Sequence, residues 1–556
     1  MKKYLLFFSF SVLCSVALLA QPDAKKAMRS VFTLKTFAAD GTLLGSSNGF
    51  YVGEKGEALS SYSPFRQAVR AVVIDSQGKE WPVECLLGAN ETYDVAKFRV
   101  AVKQSQPLSL ASIPAAEGER LWMLPYNSNK KPELKSTNVL RTELFNSEHY
   151  YYTLDISAAD EKAGAPLLNA NGQVTGIMQL AAQQSSDKSN AVGAAFAFSL
   201  KITGLSINEP ALRNSMLKKA LPDQPEQAVL TLYVAKTAFD SLHYATIVDD
   251  FIAKFPQMAD GYTAHAQLAF QGNRFNQAAH DMEQALKVAD KPDDIHYQYA
   301  KMMFQKEVYK PGIPFSPWTL DRAADEADRA YLAQAVPIYL QLKAQIRYAQ
   351  KQYAQAYDTY MQLCRLHQCT ADVYYEASRC KLALGDSAAS MALLDSAVAT
   401  FSRPYLRDAA PYLFARAQAH IAAGNGRLAV GDLNEYEQLM STQLTDNFYY
   451  LRYQIEMDSR LYQLALTDIE HAITKAPSQP LYYAEKASLL IRVGLYDDAV
   501  STARQLIELD ASLSDGYLML GYAQCLKGNK TEGLRHLEKA KEMGDPQAES
   551  LINSVR

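Results

Sequence analysis

The chain has 556 residues, 48% of them hydrophobic, and its 56 basic and 60 acidic side chains leave a net charge of −4. That length exceeds what one hydrophobic core serves, so at least two domains are expected. The near-balance of charge gives no electrostatic footprint for nucleic acid, and no nucleic-acid partner is expected.

Met1-Lys2-Lys3 and the apolar run from Tyr4 to Ala20 read as a secretory signal peptide, cleaved after Ala20. The run is short for a membrane span, and Leu13 is too bulky to precede a lipid-modified Cys14. Export to the periplasm follows, with secretion or association with an outer-membrane complex left open. The mature chain keeps Cys85, Cys364, Cys369, Cys380 and Cys525, too few and too scattered for a disulfide scaffold. Cys364, His367, Cys369 and Cys380 are close together, but their irregular spacing argues against zinc. A disulfide within this set and plain buried thiols both stay open. No metal and no cofactor are expected.

Residues 21–205 alternate short apolar stretches with turn signals. Strands are predicted at 30–37, 49–53, 69–75, 81–87, 95–100, 120–125 and 150–156, with hairpin chemistry at Asp40-Gly41 and 76–79. Many short strands at this spacing indicate an all-β barrel or sandwich. The stretch 154–177 adds an apolar strand, a tight turn, Pro166-Leu167-Leu168, an Asn171-Gly172 hairpin and a further strand.

That last stretch resembles the nucleophile elbow of trypsin-fold serine peptidases of the HtrA/Deg type. The likeness extends to Ser47-Asn48-Gly49-Phe50-Tyr51-Val52, to residues 58–64, to Tyr93-Asp94-Val95-Ala96-Lys97-Phe98 and to residues 193–198, which resemble the strand lining that family's substrate groove. It implies a chymotrypsin/trypsin-like double β-barrel. Laid on the family's pattern, Ala163 stands where the nucleophilic serine belongs and Ser63 where the base belongs. Of the triad only Asp94 is retained. Glu161 and Ala165 replace two glycines, and a carboxylate at 161 would sit badly beside a developing oxyanion. Acyl transfer by serine needs a base within hydrogen-bond reach and a third group to orient it. Between Met1 and Glu148 there is no histidine, and His149 lies on the wrong side of the chain for the base position. The degenerate positions Ser63, Asp94 and Ala163 therefore point to a pseudopeptidase. Asp94 without its histidine reads as a turn residue accepting backbone hydrogen bonds, or as part of a groove that still holds an extended peptide.

Residues 206–224 are polar, carry Pro210 and Pro222, and read as a linker into helix. Over residues 225–556 small residues recur at Ala344, Ser378, Ala417, Ala487 and Gly521, with Tyr453 as an exception. Separations of 34 residues link 344 to 378, 453 to 487 and 487 to 521. This period and pattern resemble tetratricopeptide (TPR) repeats over about sixty per cent of the chain. An insertion is placed at 308–318 and a capping helix at 546–556. The resemblance implies an all-α solenoid without catalytic groups, whose concave face takes a protein or peptide partner. Candidate positions on that face are Gln345, Tyr348, Tyr375, Arg379, Phe414, Gln418, Tyr450, Gln454 and Tyr522, each of which also reads as an ordinary solvated or packing residue. The Lys/Asn set that clamps a terminal carboxylate in chaperone-binding members is not evident.

The sequence therefore points to an exported, non-catalytic adaptor of the cell envelope. Two rivals stay open: a degenerate hydrolase with a substitute nucleophile, and a peptide-binding regulator of proteases.

Overall fold

A computed structural model describes residues 21–129, 131–145, 149–157, 162–179 and 187–555. The signal-peptide reading of residues 1–20 and the oxyanion argument on Glu161 lie outside the described residues. The chain divides into two compact units, Met1–Asp290 and Lys291–Arg556.

In the first unit, six antiparallel strands close into a barrel: β1 (Val31–Phe37), β2 (Leu43–Tyr51), β3 (Glu57–Ser60), β4 (Arg70–Ile74), β5 (Glu80–Asn90) and β6 (Val95–Val100). Side chains of β1 alternate between buried and half-buried, as a period of two requires of a strand with one face in the core. Phe32, Phe65 and Phe98 are fully buried and meet edge to face or tilted, at 5.1–6.1 Å between centroids. Each such burial contributes about 2–3 kcal/mol. A second six-stranded barrel follows: β7 (Arg120–Met123), β8 (Lys135–Phe145), β9 (His149–Leu154), β10 (Pro166–Leu168), β11 (Val174–Met178) and β12 (Ser189–Gly193). The β10–β11 hairpin turns at Gly172, at φ +77°, and the Asn169 side chain accepts from the backbone of Asn171 and Gln173. Residues 206–224, read above as a linker, are docked on the first barrel. Ala211, Leu212 and Leu217 join its core, and Leu86 N–H donates to the Lys218 carbonyl at 2.8 Å.

From Pro225 onward the described residues form nine helix pairs and a last helix, Ala548–Val555. The recurring small positions lie where two helices of a pair meet: Ala344, Ala417 and Ala487 are fully buried. A Cβ on Gly521 would stand 2.7 Å from the Gly533 carbonyl oxygen, so helices Ser514–Leu526 and Lys530–Glu542 approach to glycine distance. The expected insertion falls between helices Asp293–Tyr309 and Leu320–Ala333, where Trp318 is buried against Tyr299 and Phe315. Cys364 and Cys369 are disulfide-bonded, and Cys380 is a buried free thiol.

In three helix pairs a charged pair joins the two helices at an offset of 16 residues: His265 to Asp281, Arg416 to Asp432 and Arg452 to Asp468. At the last, burial pushes the Glu456 carboxyl up to about 8; the Asp468 charge adds to the push and Arg452 opposes it. The folded chain thus holds a proton that an unfolded chain gives up near 4.5, so this stabilisation is complete below that value and is lost as pH rises towards 8. Glu456→Gln is expected to flatten the fall in urea midpoint between about pH 5 and 8; an unchanged slope excludes Glu456 as its source.

Candidate functional site

The elbow is built from a turn that only glycine fits. Gly164 adopts φ +80°, and its N–H donates to the Met178 carbonyl at 2.8 Å. The turn is clamped to the first barrel, with Asn48 N–H donating to the Ala163 carbonyl at 2.7 Å. The Asn48 side chain accepts from Tyr126 N–H at 2.6 Å, and its carbonyl accepts from the Ser60 hydroxyl at 2.5 Å. Ala163 heads this turn, 2% exposed, with a methyl group and no atom able to attack a carbonyl.

Ser63 and Asp94 are brought together. Both the Ser63 N–H and its hydroxyl donate to one Asp94 carboxylate oxygen, each at 2.6 Å. Asp94 sits in the left-handed region, φ +49°, at the turn before β6. Burial holds its carboxyl above the usual carboxylate range, while the two bonds from Ser63 pull the other way. A hydroxyl at position 63 so engaged supplies no base at neutral pH, because a serine side chain is a proton donor and weak acceptor there.

The His149 ring packs against Phe196 and Tyr93 at 4.2 and 5.4 Å between centroids. Phe196 explains a departure from expectation. Residues 193–198 resemble a groove-lining strand, yet β12 ends at Gly193 and Ala194–Phe198 coils into a 3-10 turn. The turn draws Phe196 inward, 4% exposed and 4.8 Å from the Tyr93 ring, and its carbonyl accepts from Ser199. A stretch coiled this way offers no extended backbone for a peptide to pair with.

In the second unit the predicted binding residues split into two groups. Gln345, Tyr348, Tyr375, Phe414, Tyr450 and Tyr522 are half-buried. Phe414 packs on Tyr436 and Tyr450 on both Tyr453 and Tyr482, which makes them packing residues. Arg379, Gln418 and Gln454 are exposed. Tyr375, Arg379 and Gln418 line one cavity of about 670 Å³ between helices Ala371–Ala383, Ser387–Ala399 and Ala410–Ala422. The Arg379 guanidinium lies 4.7 Å from the centre of the Tyr348 ring and is ion-paired to Glu376. The cavity lining also includes Leu382 and Met391, which the sequence reading missed; no motif in the sequence marks them.

The fold and the elbow together define a trypsin-like peptidase domain followed by TPR-like helical repeats. The family model for the trypsin-like peptidase domain matches residues 47–177. Among curated proteins, the chain is similar to the small glutamine-rich tetratricopeptide repeat-containing protein 2 of Saccharomyces cerevisiae, 32% identical over 96 residues, 17% of this chain and 28% of that protein. It is also similar to the protein of the same name from Mycosarcoma maydis, 28% identical over 95 residues, 17% of this chain and 27% of that one. The chain thus spans under a third of the length of these curated relatives. Similar solved structures include a protease from M. tuberculosis in its active form, at 18% identity, 36% of this chain, 92% of that one and a TM-score of 0.28. Another is the serine endoprotease from Yersinia pestis, at 17% identity, 34% of this chain, 65% of that one and the same TM-score, 0.28. At these values the fold rests on strand topology and not on the likeness.

Proposed function

We propose that the chain is an exported, non-catalytic scaffold of the cell envelope, pairing an inactive peptidase-like domain with a repeat domain that binds a protein or peptide segment. The observation that carries this reading is the buried Ala163 methyl beside the Gly164 turn, with the Ser63 hydroxyl committed to Asp94. Acyl transfer lacks both its attacking oxygen and its proton acceptor there. The Cys364–Cys369 bridge supports an oxidising compartment. The cavity at Tyr375, Arg379 and Gln418 supports a partner site on the repeats, with both apolar and polar side chains in its lining.

Purified protein is expected to hydrolyse casein and fluorogenic peptides at background rate and to take no label from a serine-directed phosphonate. Ala163→Ser is expected to stay at background too, because a new hydroxyl without a base remains protonated. A gain above about tenfold in that variant sinks the non-catalytic reading. A photo-cross-linker at position 418 is expected to trap a protein in intact cells, and no adducts at either 418 or 379 would remove this cavity from consideration.

A further inference from the structure

We infer that the unit Met1–Asp290 holds a second site, which binds a small monoanion with an apolar body, of the medium-chain carboxylate class, on Lys219. Residues 215–221 form a strap along the first barrel. Met216 N–H donates to the Ala68 carbonyl at 3.0 Å, and Ala220 N–H donates to the Leu86 carbonyl at 2.9 Å. With the strap held on that side, its other side faces helices Pro225–Ala238 and Ser241–Lys254 across a cavity of about 500 Å³. Ile207, Leu217, Leu221, Phe239 and Ile247 make the apolar wall. This size and lining suit a small organic ligand.

Lys219 is the chemistry in this wall. Its ammonium donates to the Ser215 carbonyl and lies 5.9 Å from the centre of the Phe239 ring. Among the described residues no carboxylate pairs with it, whereas Lys218 beside it is matched to Asp250 at 2.5 Å and His243 to Asp240 at 2.6 Å. Burial pulls the Lys219 amine down to about 8. An ammonium has three donors, and the Ser215 carbonyl takes one. A bound carboxylate takes up that remaining capacity and offsets the charge that burial penalises. Asp249 and Asp250 also line the cavity; Lys218 neutralises Asp250, and the Asp249 charge weighs against each added negative charge, which favours a monoanion over a dianion.

Calorimetric titration of the full chain with decanoate, and with decanol as its uncharged counterpart, tests the site. Wild type is expected to bind decanoate. Lys219→Met, which keeps the aliphatic stem, is expected to weaken decanoate by about tenfold or more while leaving decanol within about twofold. Lys219→Arg is expected to keep decanoate binding, and Ile247→Trp, which fills the cavity, to abolish both ligands. The proposal is overturned if wild type does not bind decanoate, if folded Lys219→Met binds it as tightly as wild type, or if Ile247→Trp leaves it unchanged.

Discussion

Gly164→Ala is expected to cost about 2–5 kcal/mol of stability, among the largest effects of any single methyl group in this chain. Two terms add. An alanine at φ +80° pays about 1–2 kcal/mol for the left-handed region. Its Cβ would also stand 2.1 Å from the Asn48 carbonyl oxygen, which is backbone and has nowhere to go: β2 is hydrogen-bonded on both sides there and Asn48 N–H holds Ala163. Gly172→Ala separates the terms. That glycine has a similar φ, +77°, but its nearest neighbour is Pro22 at 3.8 Å, so only the conformational cost of about 1 kcal/mol remains. Urea midpoints of both variants check this; equal losses would mean that the clamp on Asn48 relaxes freely. The elbow glycine therefore has a packing role that does not depend on any chemistry at Ala163.

Part of this was legible in sequence. The hairpin residues Asn171-Gly172, the positive-φ glycine after Ala163 and the alternation in β1 each leave a local mark, and each element is where its mark lies. Strand β8 left none. Lys135–Phe145 carries buried side chains only at Thr137 and Val139, so its pattern is that of a polar loop, and pairing with β7 and β9 makes it a strand. Residues 193–198 show the opposite failure. Gly-Ala-Ala-Phe-Ala-Phe reads as a strand, but a tertiary contact of Phe196 with Tyr93 and His149 coils it. The repeat period was readable because helix pairs need small residues at each crossing. The cavity beside Lys219 was not, since a lysine in a polar stretch reads as solvated until the strap is seen against the barrel. Spacing put Tyr375, Arg379 and Gln418 on the same face as Phe414; only the structure shows that the first three line one cavity while the Phe414 ring turns to Tyr436.

Arg452→Met is expected to destabilise the second unit by about 3–5 kcal/mol, because it removes the buried guanidinium that pairs with Asp468. The guanidinium grips Asp468 with two bonds, at 2.6 and 2.7 Å, and reaches Asn434 at 2.8 Å and Glu437 at 2.7 Å. Glu456 stands 4.0 Å away, and Arg452, Glu456 and Asp468 are all nearly inaccessible to water. Without the arginine, the buried Asp468 loses both guanidinium bonds and keeps only the half-exposed His471 ring at 3.8 Å, while Glu456 beside it holds its proton. The loss therefore comes from the stranded carboxylate and not from the pair's own net value. Arg452→Met with Asp468→Leu removes both and is expected to recover most of the urea midpoint, as replacement of a buried pair by apolar groups commonly does. Arg416→Met should cost less, since the Arg416 side chain is 17% exposed and Asp432 9%, so water still reaches the stranded acid. If the double variant is no better than Arg452→Met alone, the network holds the repeats in register through its hydrogen bonds, and the electrostatic account of the recurring 16-residue pairs fails.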